Sequence, residues 1–360
     1  MNPKSDYQFF TNTKDAVEAM YEAIVNAKSS IYLETYILRS NNFSYKLIEK
    51  LKEKVSAGLE VKIIFDGFGI KDFDENIIED LKKAGADVII FNPFNLSTFW
   101  RGIHFLFERN HRKVLIIDKE IGFIGGVNIS GYNDSWIDLQ VKVTGPSVMM
   151  LLKSFSHSYL AGGGMLAKIK HLFYLPVIKE RYWRILWHQP NSHFFSIKSF
   201  YLNWIKKARH SITIASPYFL PDEDLINAMS EAKKRGVKID LILPWKTDHD
   251  SLTHAIRSQY SLYSKIGMKI YLVKKMLHAK SMMVDGKTAF IGSSNFDSQS
   301  FYRSHETNLI FSNKKMIADL RKIFKEWRKN SRLFRPLLWA QRSWRAKIRE
   351  FLWGILRPFL

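Results

Sequence analysis

Hydrophobic and polar positions change period several times along this chain. From Asp15 a run of helical period leads into SSIYLETYIL. LIEKLKEKVSAGLEVKIIFDG passes from the same period to an apolar run, and KKAGADVIIF closes the series. After position 190 the order returns in HSITIASPYFL, LINAMSEAKKRGVKIDLILP and KIGMKIYLV. Amphipathic segments that stop at a glycine, each followed by a run rich in Ile, Val and Leu, predict helices alternating with strands. Gly58 matches Gly236 and Gly85 matches Gly267, so the chain reads as two similar α/β halves produced by duplication.

Two stretches break the correspondence. Phe91 and His111 lie 20 positions apart, whereas their counterparts Val273 and His278 lie 5 apart, so the first half carries an aromatic insertion at 92–110. A loop of that length inside a compact domain points to function. A second unmatched piece, 162–190, separates the halves. The expected division is a first domain at 1–150, a basic aromatic segment at 151–192, a second domain at 193–330 and a basic amphipathic tail at 331–360.

Charge adds a partner class. Lys and Arg outnumber Asp and Glu by 55 to 34, a net charge of +21, which favours phosphate-rich partners: nucleic acid, anionic membrane or an anionic substrate. Residues 314–360 hold 14 basic and 3 acidic side chains, just over half of that excess. The absence of cysteine removes disulfides and thiolate zinc sites. MNPKSDYQFF lacks the apolar core of a signal peptide, and no stretch approaches eighteen uninterrupted apolar residues. A surface-associated protein without a spanning helix is expected.

The chemistry lies in a pattern that occurs twice, His-x-Lys-x4-Asp: His111, Lys113 and Asp118 in HRKVLIID, then His278, Lys280 and Asp285 in HAKSMMVD. Each copy continues into a glycine turn and an asparagine, Asn128 and Asn295. Each is also followed by an acid at nearly matching distance, Asp138 after His111 and Glu306 after His278. In a strand, His and Lys two apart share a face. Neutral imidazole is a nucleophile, and Lys offers a compact positive charge to a phosphate oxygen. The acid can accept a bond from an imidazole Nδ1–H and so present Nε2. One copy is half of a phosphodiester site; two copies supply attack, protonation of the leaving oxygen and charge stabilisation around one phosphorus.

These residues resemble the phospholipase D superfamily, and within it the bacterial cardiolipin synthases, particularly short forms without N-terminal membrane spans. The similar stretches include YLETYIL, FDGFG, RNHRKVLIID, IGGVNIS, WIDLQVKVTGPSV, LPWKTD, HAKSMMVDGKTAFIGSSNFDSQSF and HETNL, covering roughly 16–308. The resemblance implies two homologous phospholipase D-like α/β domains packed around a shared active-site cleft, in which His111 and His278 face one another. It implies a catalytic set of His111, Lys113, Asp118, His278, Lys280 and Asp285, with the two aspartates closer to structural anchors. Asn128, Asn295, Asp138 and Glu306 complete the substrate side, the two acids as imidazole partners. The implied reaction is phosphatidyl transfer from phosphatidylglycerol through a phosphohistidine, with no metal and no cofactor. The implied location is peripheral, on the cytoplasmic face of the bacterial inner membrane. A hydrolase releasing phosphatidic acid and a superfamily nuclease share the motif; the aromatic clusters favour lipid over nucleic acid.

Other features have plainer readings. The remaining nine histidines show no metal-ligand spacing. DGFG and the glycines at 162–164 lack the phosphate-loop pattern and read as turns, and Ser293 and Ser294 as part of the turn that presents Asn295. In the tail, Leu337, Trp344, Ile348, Leu352, Ile355 and Phe359 recur at three- or four-residue steps, with Arg342, Arg345, Lys347 and Arg349 largely on other faces. That pattern fits a helix in an anionic membrane interface. Docking on the protein's own core is the alternative.

Overall fold

The computed structural model describes residues 5–93, 107–130, 133, 135–175, 180–190 and 197–355. Most of the 92–110 insertion, together with Phe359, lies outside the described residues. The chain divides into two compact units. The first comprises Met1–Pro190 with Ile291–Ser293 and Arg303–Leu309; the second comprises Asn191–Phe290, Ser294–Tyr302 and Ile310–Leu360. The segment 162–190 therefore belongs with the first unit and the tail with the second.

Among the described residues the sheet of the first unit has seven strands: β1 (Tyr7–Asn12), β2 (Ser30–Thr35), β3 (Glu60–Asp66), β4 (Asp87–Phe91), β6 (Val114–Ile117), β7 (Ile121–Gly125) and β8 (Ile137–Thr144), in the order β1-β8-β7-β6-β2-β3-β4. β2, β3 and β4 run parallel, joined through α2 (Asn42–Ser56) and α3 (Glu75–Lys83). β6 pairs antiparallel with β2. With α1 (Thr13–Val25), these helices cover one face of the sheet through Met20, Ile24, Leu47, Leu51 and Leu81 against Leu33, Ile63, Phe65, Leu115 and Phe123. The two-residue strand β5 (Arg109–Asn110) lies outside this sheet.

The second unit repeats the parallel core. β10 (Ser211–Ala215), β11 (Lys238–Pro244) and β12 (Lys269–Val273) are parallel neighbours, and β13 (Ser281–Val284) pairs antiparallel with β10. α7 (Glu223–Lys234) and α8 (Asp250–Lys265) make the crossovers. The glycines matched in sequence hold matching positions. Gly58, Gly85, Gly236 and Gly267 all have φ between 87° and 107°, just after the ends of α2, α3, α7 and α8. Each terminus closes alike: Gly58 N–H donates to Val55 O at 2.9 Å and Leu59 N–H to Lys54 O at 3.1 Å, as Gly236 does to Lys233 O at 2.9 Å and Val237 to Ala232 O at 3.0 Å. A left-handed residue ends a helix this way at least cost when it is glycine.

Beyond the core, α10 (Lys314–Lys329) leads to β16 (Ser331–Leu333), which pairs antiparallel with β12, then to α11 (Pro336–Ala340) and α12 (Trp344–Ile355). α12 packs on α8. Its docking face carries Glu350, buried and bonded to Arg342 at 2.7 Å, and Gly354, where a Cβ would meet Ser258 Oγ at 2.9 Å. The stripe of Trp344, Ile348, Leu352 and Ile355 faces away and is 66, 47, 54 and 59% exposed. Docking uses the Glu350 side of the helix, which leaves the apolar stripe open. Among the described residues no helix is long and apolar enough to cross a membrane.

Candidate active site

Both motifs sit in extended segments immediately ahead of a strand, His111 and Lys113 before β6 and His278 and Lys280 before β13. In each, the Lys Nζ turns back to donate to the carbonyl of its own histidine at 2.5 Å, Lys113 to His111 O and Lys280 to His278 O. An aromatic edge flanks each imidazole. Tyr36 lies 5.0 Å from His111 at 74°, and Tyr218 lies 6.4 Å from His278 at 81°. Lys113, Lys280 and His278 are all buried.

The motif aspartates do different work from the histidines. Asp118, at the far end of β6, has φ 55° and accepts from the backbone N–H groups of Lys28, Ser29 and Ser30, the last two at 2.7 and 3.0 Å. Asp285 repeats this at φ 53° with Arg209, His210 and Ser211, the last two at 2.7 and 2.9 Å. These bonds hold each carboxyl below the ordinary range despite the opposing effect of burial. Each aspartate thus ties the end of its motif strand to the start of the first parallel strand.

Spacing along the chain associates Glu306 with His278, and the structure corrects this. Within the first unit, Glu306 meets His111: Nδ1 lies 3.0 Å from Oε1 and 3.2 Å from Oε2. The cause is β15 (Ser304–Phe311), whose first residues pair in parallel with β5 through Ser304↔Arg109 and His305↔Asn110. The His111 N–H then donates to His305 O at 3.0 Å, which brings the next side chain, Glu306, beneath the imidazole. Glu306 is fully buried, and Ser293 Oγ donates to its Oε2. Burial pushes its carboxyl up, but the His111 charge and hydrogen bond, with Lys113 and Ser293, hold it below the ordinary range. Both of its oxygens are engaged by protein groups, His111 and Ser293. Ser293, read in sequence as part of a turn, supports this carboxylate and also accepts from Thr307 N at 3.0 Å.

Asp138, at the start of β8, is buried; its Oδ1 accepts from Leu139 N at 2.7 Å and lies where a Cβ on Gly126 would be. Asn128 is anchored by its carbonyl, which accepts from Ile37 N at 3.1 Å and leaves the amide N–H groups to donate. Asn295 is 5% exposed, and its backbone N–H donates to Ser300 Oγ at 3.0 Å.

Several supporting residues escaped the motif reading. Asp66, the aspartate of DGFG, is fully buried at the end of β3. Its Oδ2 accepts from Asn110 N at 2.7 Å; its Oδ1 accepts from Phe68 N at 2.9 Å and lies 3.4 Å from Arg109. Buried Glu34 takes the Asn110 amide at 2.8 Å. Two carboxylates therefore fix the residue immediately before His111. Gly69 belongs to the same arrangement, since a Cβ there would fall 1.5 Å from Tyr36 O. The signal available in sequence was an aromatic at the end of the first parallel strand in each half, Tyr36 and Tyr218, and an acid at the end of β3.

Burial pushes the Asp66 carboxyl up to about 6, against the opposing effects of Arg109 and the backbone N–H groups. Asp66→Ala leaves those donors without their acceptor and is expected to lower stability by about 3–5 kcal/mol, measured by urea denaturation at pH 7. A loss under about 1 kcal/mol would show that water replaces the carboxylate.

Comparison with known proteins gives one answer. The family described as "Cardiolipin synthase, PLD-like domain" matches twice, at 20–149 and 201–328. A cardiolipin synthase of Geobacillus thermodenitrificans (strain NG80-2) is 31% identical over 365 residues, covering 97% of this chain and 71% of that protein. One of Listeria monocytogenes serotype 4a (strain HCC23) is 30% identical over 370 residues, covering 99% and 76%. Among solved structures, phosphatidylserine synthase of Haemophilus influenzae Rd KW20 matches with TM-score 0.74 at 12% identity, over 98% of this chain and 95% of that one, a likeness of fold.

Proposed function

We propose that this chain, which belongs to the cardiolipin synthase family with two phospholipase D-like domains, transfers a phosphatidyl group from one phosphatidylglycerol to the terminal hydroxyl of another. The observation that carries the reading is the His111–Glu306 pair at 3.0 Å, its carboxylate fully buried, beside a motif built twice with the same Lys-to-His carbonyl bond. With Nδ1–H engaged by a carboxylate, Nε2 is the imidazole atom left to react. One imidazole attacks phosphorus, the bond to glycerol breaks, and the glycerol oxygen takes its proton from the other imidazolium. The second phosphatidylglycerol then gives its hydroxyl proton to that imidazole and attacks phosphorus; the P–N bond breaks and the first imidazole returns. Lys113, Lys280, Asn128 and Asn295 supply positive charge and amide donors to the equatorial oxygens. Asp138 is the second imidazole partner in this scheme.

Incubation of the purified chain with phosphatidylglycerol vesicles, followed by lipid mass spectrometry, is the test. Cardiolipin and glycerol in equal amounts are expected. Phosphatidic acid as the main product makes the protein a hydrolase, and unchanged lipid ends the proposal.

The reading includes peripheral binding to an anionic, cytoplasmic-face membrane. The outward stripe on α12, where Phe351 is 66% exposed, and Leu337 on α11, 83% exposed, stand among basic side chains and support it. Each basic residue near such a surface is worth about 1 kcal/mol, and insertion of the apolar stripe adds to this. Ile348→Asp/Leu352→Asp is expected to cut binding to phosphatidylglycerol vesicles at least tenfold with the fold intact. Sedimentation at low and high salt measures it; unchanged binding moves the membrane contact to another part of the chain.

A further inference from the structure

The segment just before α12 lines a trough that the phosphodiester chemistry does not use. It has a volume of about 440 Å³ and sits within the second unit, where β16 and α11 meet the end of β11. Trp245, Phe334, Leu338 and Trp339 form its apolar walls, and Arg332 and Arg335 stand at the same cavity. The aromatic wall is rigid: Trp339 packs edge-on to Trp245 at 6.5 Å and against Phe334 at 5.5 Å. Its indole N–H is buried with no acceptor among the described residues. Neither Arg332 nor Arg335 has an acidic partner among the described residues, and both are exposed. Tail segment 331–360 has seven basic residues and one acid, Glu350, whose carboxylate is held by Arg342.

An apolar trough with two unpaired guanidinium groups matches a ligand that joins an acyl chain to a phosphate. Planar guanidinium forks suit phosphate oxygens, and aromatic walls suit the chain beside them. Leu338, 60% exposed, continues the trough toward the neighbouring exposed Leu337, so a lipid could reach it from a bilayer on which the tail rests. We propose that this trough is an accessory site for one anionic phospholipid, with the phosphate between Arg332 and Arg335 and an acyl chain along Trp245, Phe334 and Trp339. The proposal rests on the membrane reading for the source of the lipid and on the trough alone for its binding.

A short-chain phosphatidylglycerol carrying a diazirine on one acyl chain, used below its micelle concentration without vesicles, tests it. After irradiation of the full chain, peptide mapping by mass spectrometry is expected to find adduct at 333–339. Arg332→Glu/Arg335→Glu should lower that adduct at least tenfold, as should the equivalent phosphatidylcholine probe on the unaltered chain. Leu338→Asp, at an exposed position, is a second variant with the same expected loss. His111→Ala/His278→Ala should retain the adduct. No adduct at 333–339, or equal labelling in the arginine variant or by the phosphatidylcholine probe, overturns the proposal. Failure of the chain to sediment with vesicles would instead remove the membrane reading, because the soluble probe decides the trough without it.

Discussion

His111→Ala and His278→Ala should each lower the rate of cardiolipin formation by at least about 10³-fold, with the fold unchanged by circular dichroism. Without the attacking imidazole no covalent intermediate forms; without the acid, glycerol must leave as an alkoxide. Because the two groups act on one reaction, the double variant should be little worse than the poorer single one. The two failures differ in kind. Brief incubation with phosphatidylglycerol labelled in the phosphate, followed by mild acid lability of the label, should show a trapped phosphoenzyme in at most one single variant. Mass spectrometry of the lipid product gives the rates, and retention of more than a tenth of the activity in either variant would remove that histidine from the chemistry.

Much of the architecture was legible because it is local. A helix that ends at a glycine and an apolar run that follows it are short-range patterns, and the duplication displayed each twice, so Gly58 and Gly236 could be matched before their φ of 87° was known. Asp118 and Asp285 repeat in the same local way, each five residues past the motif lysine at the turn that follows the strand, and their reading as anchors comes from the family resemblance. Glu306 was not legible in this way. Its partner is chosen by a two-residue parallel strand, Arg109–Asn110, too short to leave a periodic trace, so distance along the chain pointed to His278 while strand pairing delivered the carboxylate to His111. The support of Asn110 by Asp66 and Glu34 was hidden likewise, since buried acids on parallel strands look like interruptions of apolar runs until the bonded group is known. The tail was half legible: its apolar stripe is real, but the docking side is set by Glu350 and Gly354, which hydrophobicity does not mark.

Glu306→Gln should lower kcat by about 10²–10⁴-fold and leave KM within a few-fold, because the side chain is fully buried and acts through His111 rather than on substrate. The amide can still accept from Nδ1–H, with the Ser293 hydroxyl turned to accept from the amide, so the imidazole need not swing away; what is lost is the negative charge that supports it when it carries a proton. Removing that charge disfavours the protonated ring, so the limb of the pH–rate profile that reports this histidine should move to lower pH, whether the ring attacks or protonates. Stability carries an independent sign. The Glu306 carboxyl is held below the ordinary range, so its interactions stabilise the fold fully above that range and are lost as pH falls through the folded-state value. Wild type should therefore exceed Glu306→Gln in urea resistance at pH 7, and the gap should narrow at acidic pH. A rise in KM that accounts for the whole loss of kcat/KM would assign Glu306 to substrate binding instead, and an equal stability gap at both pH values would show that packing rather than charge holds the pair together.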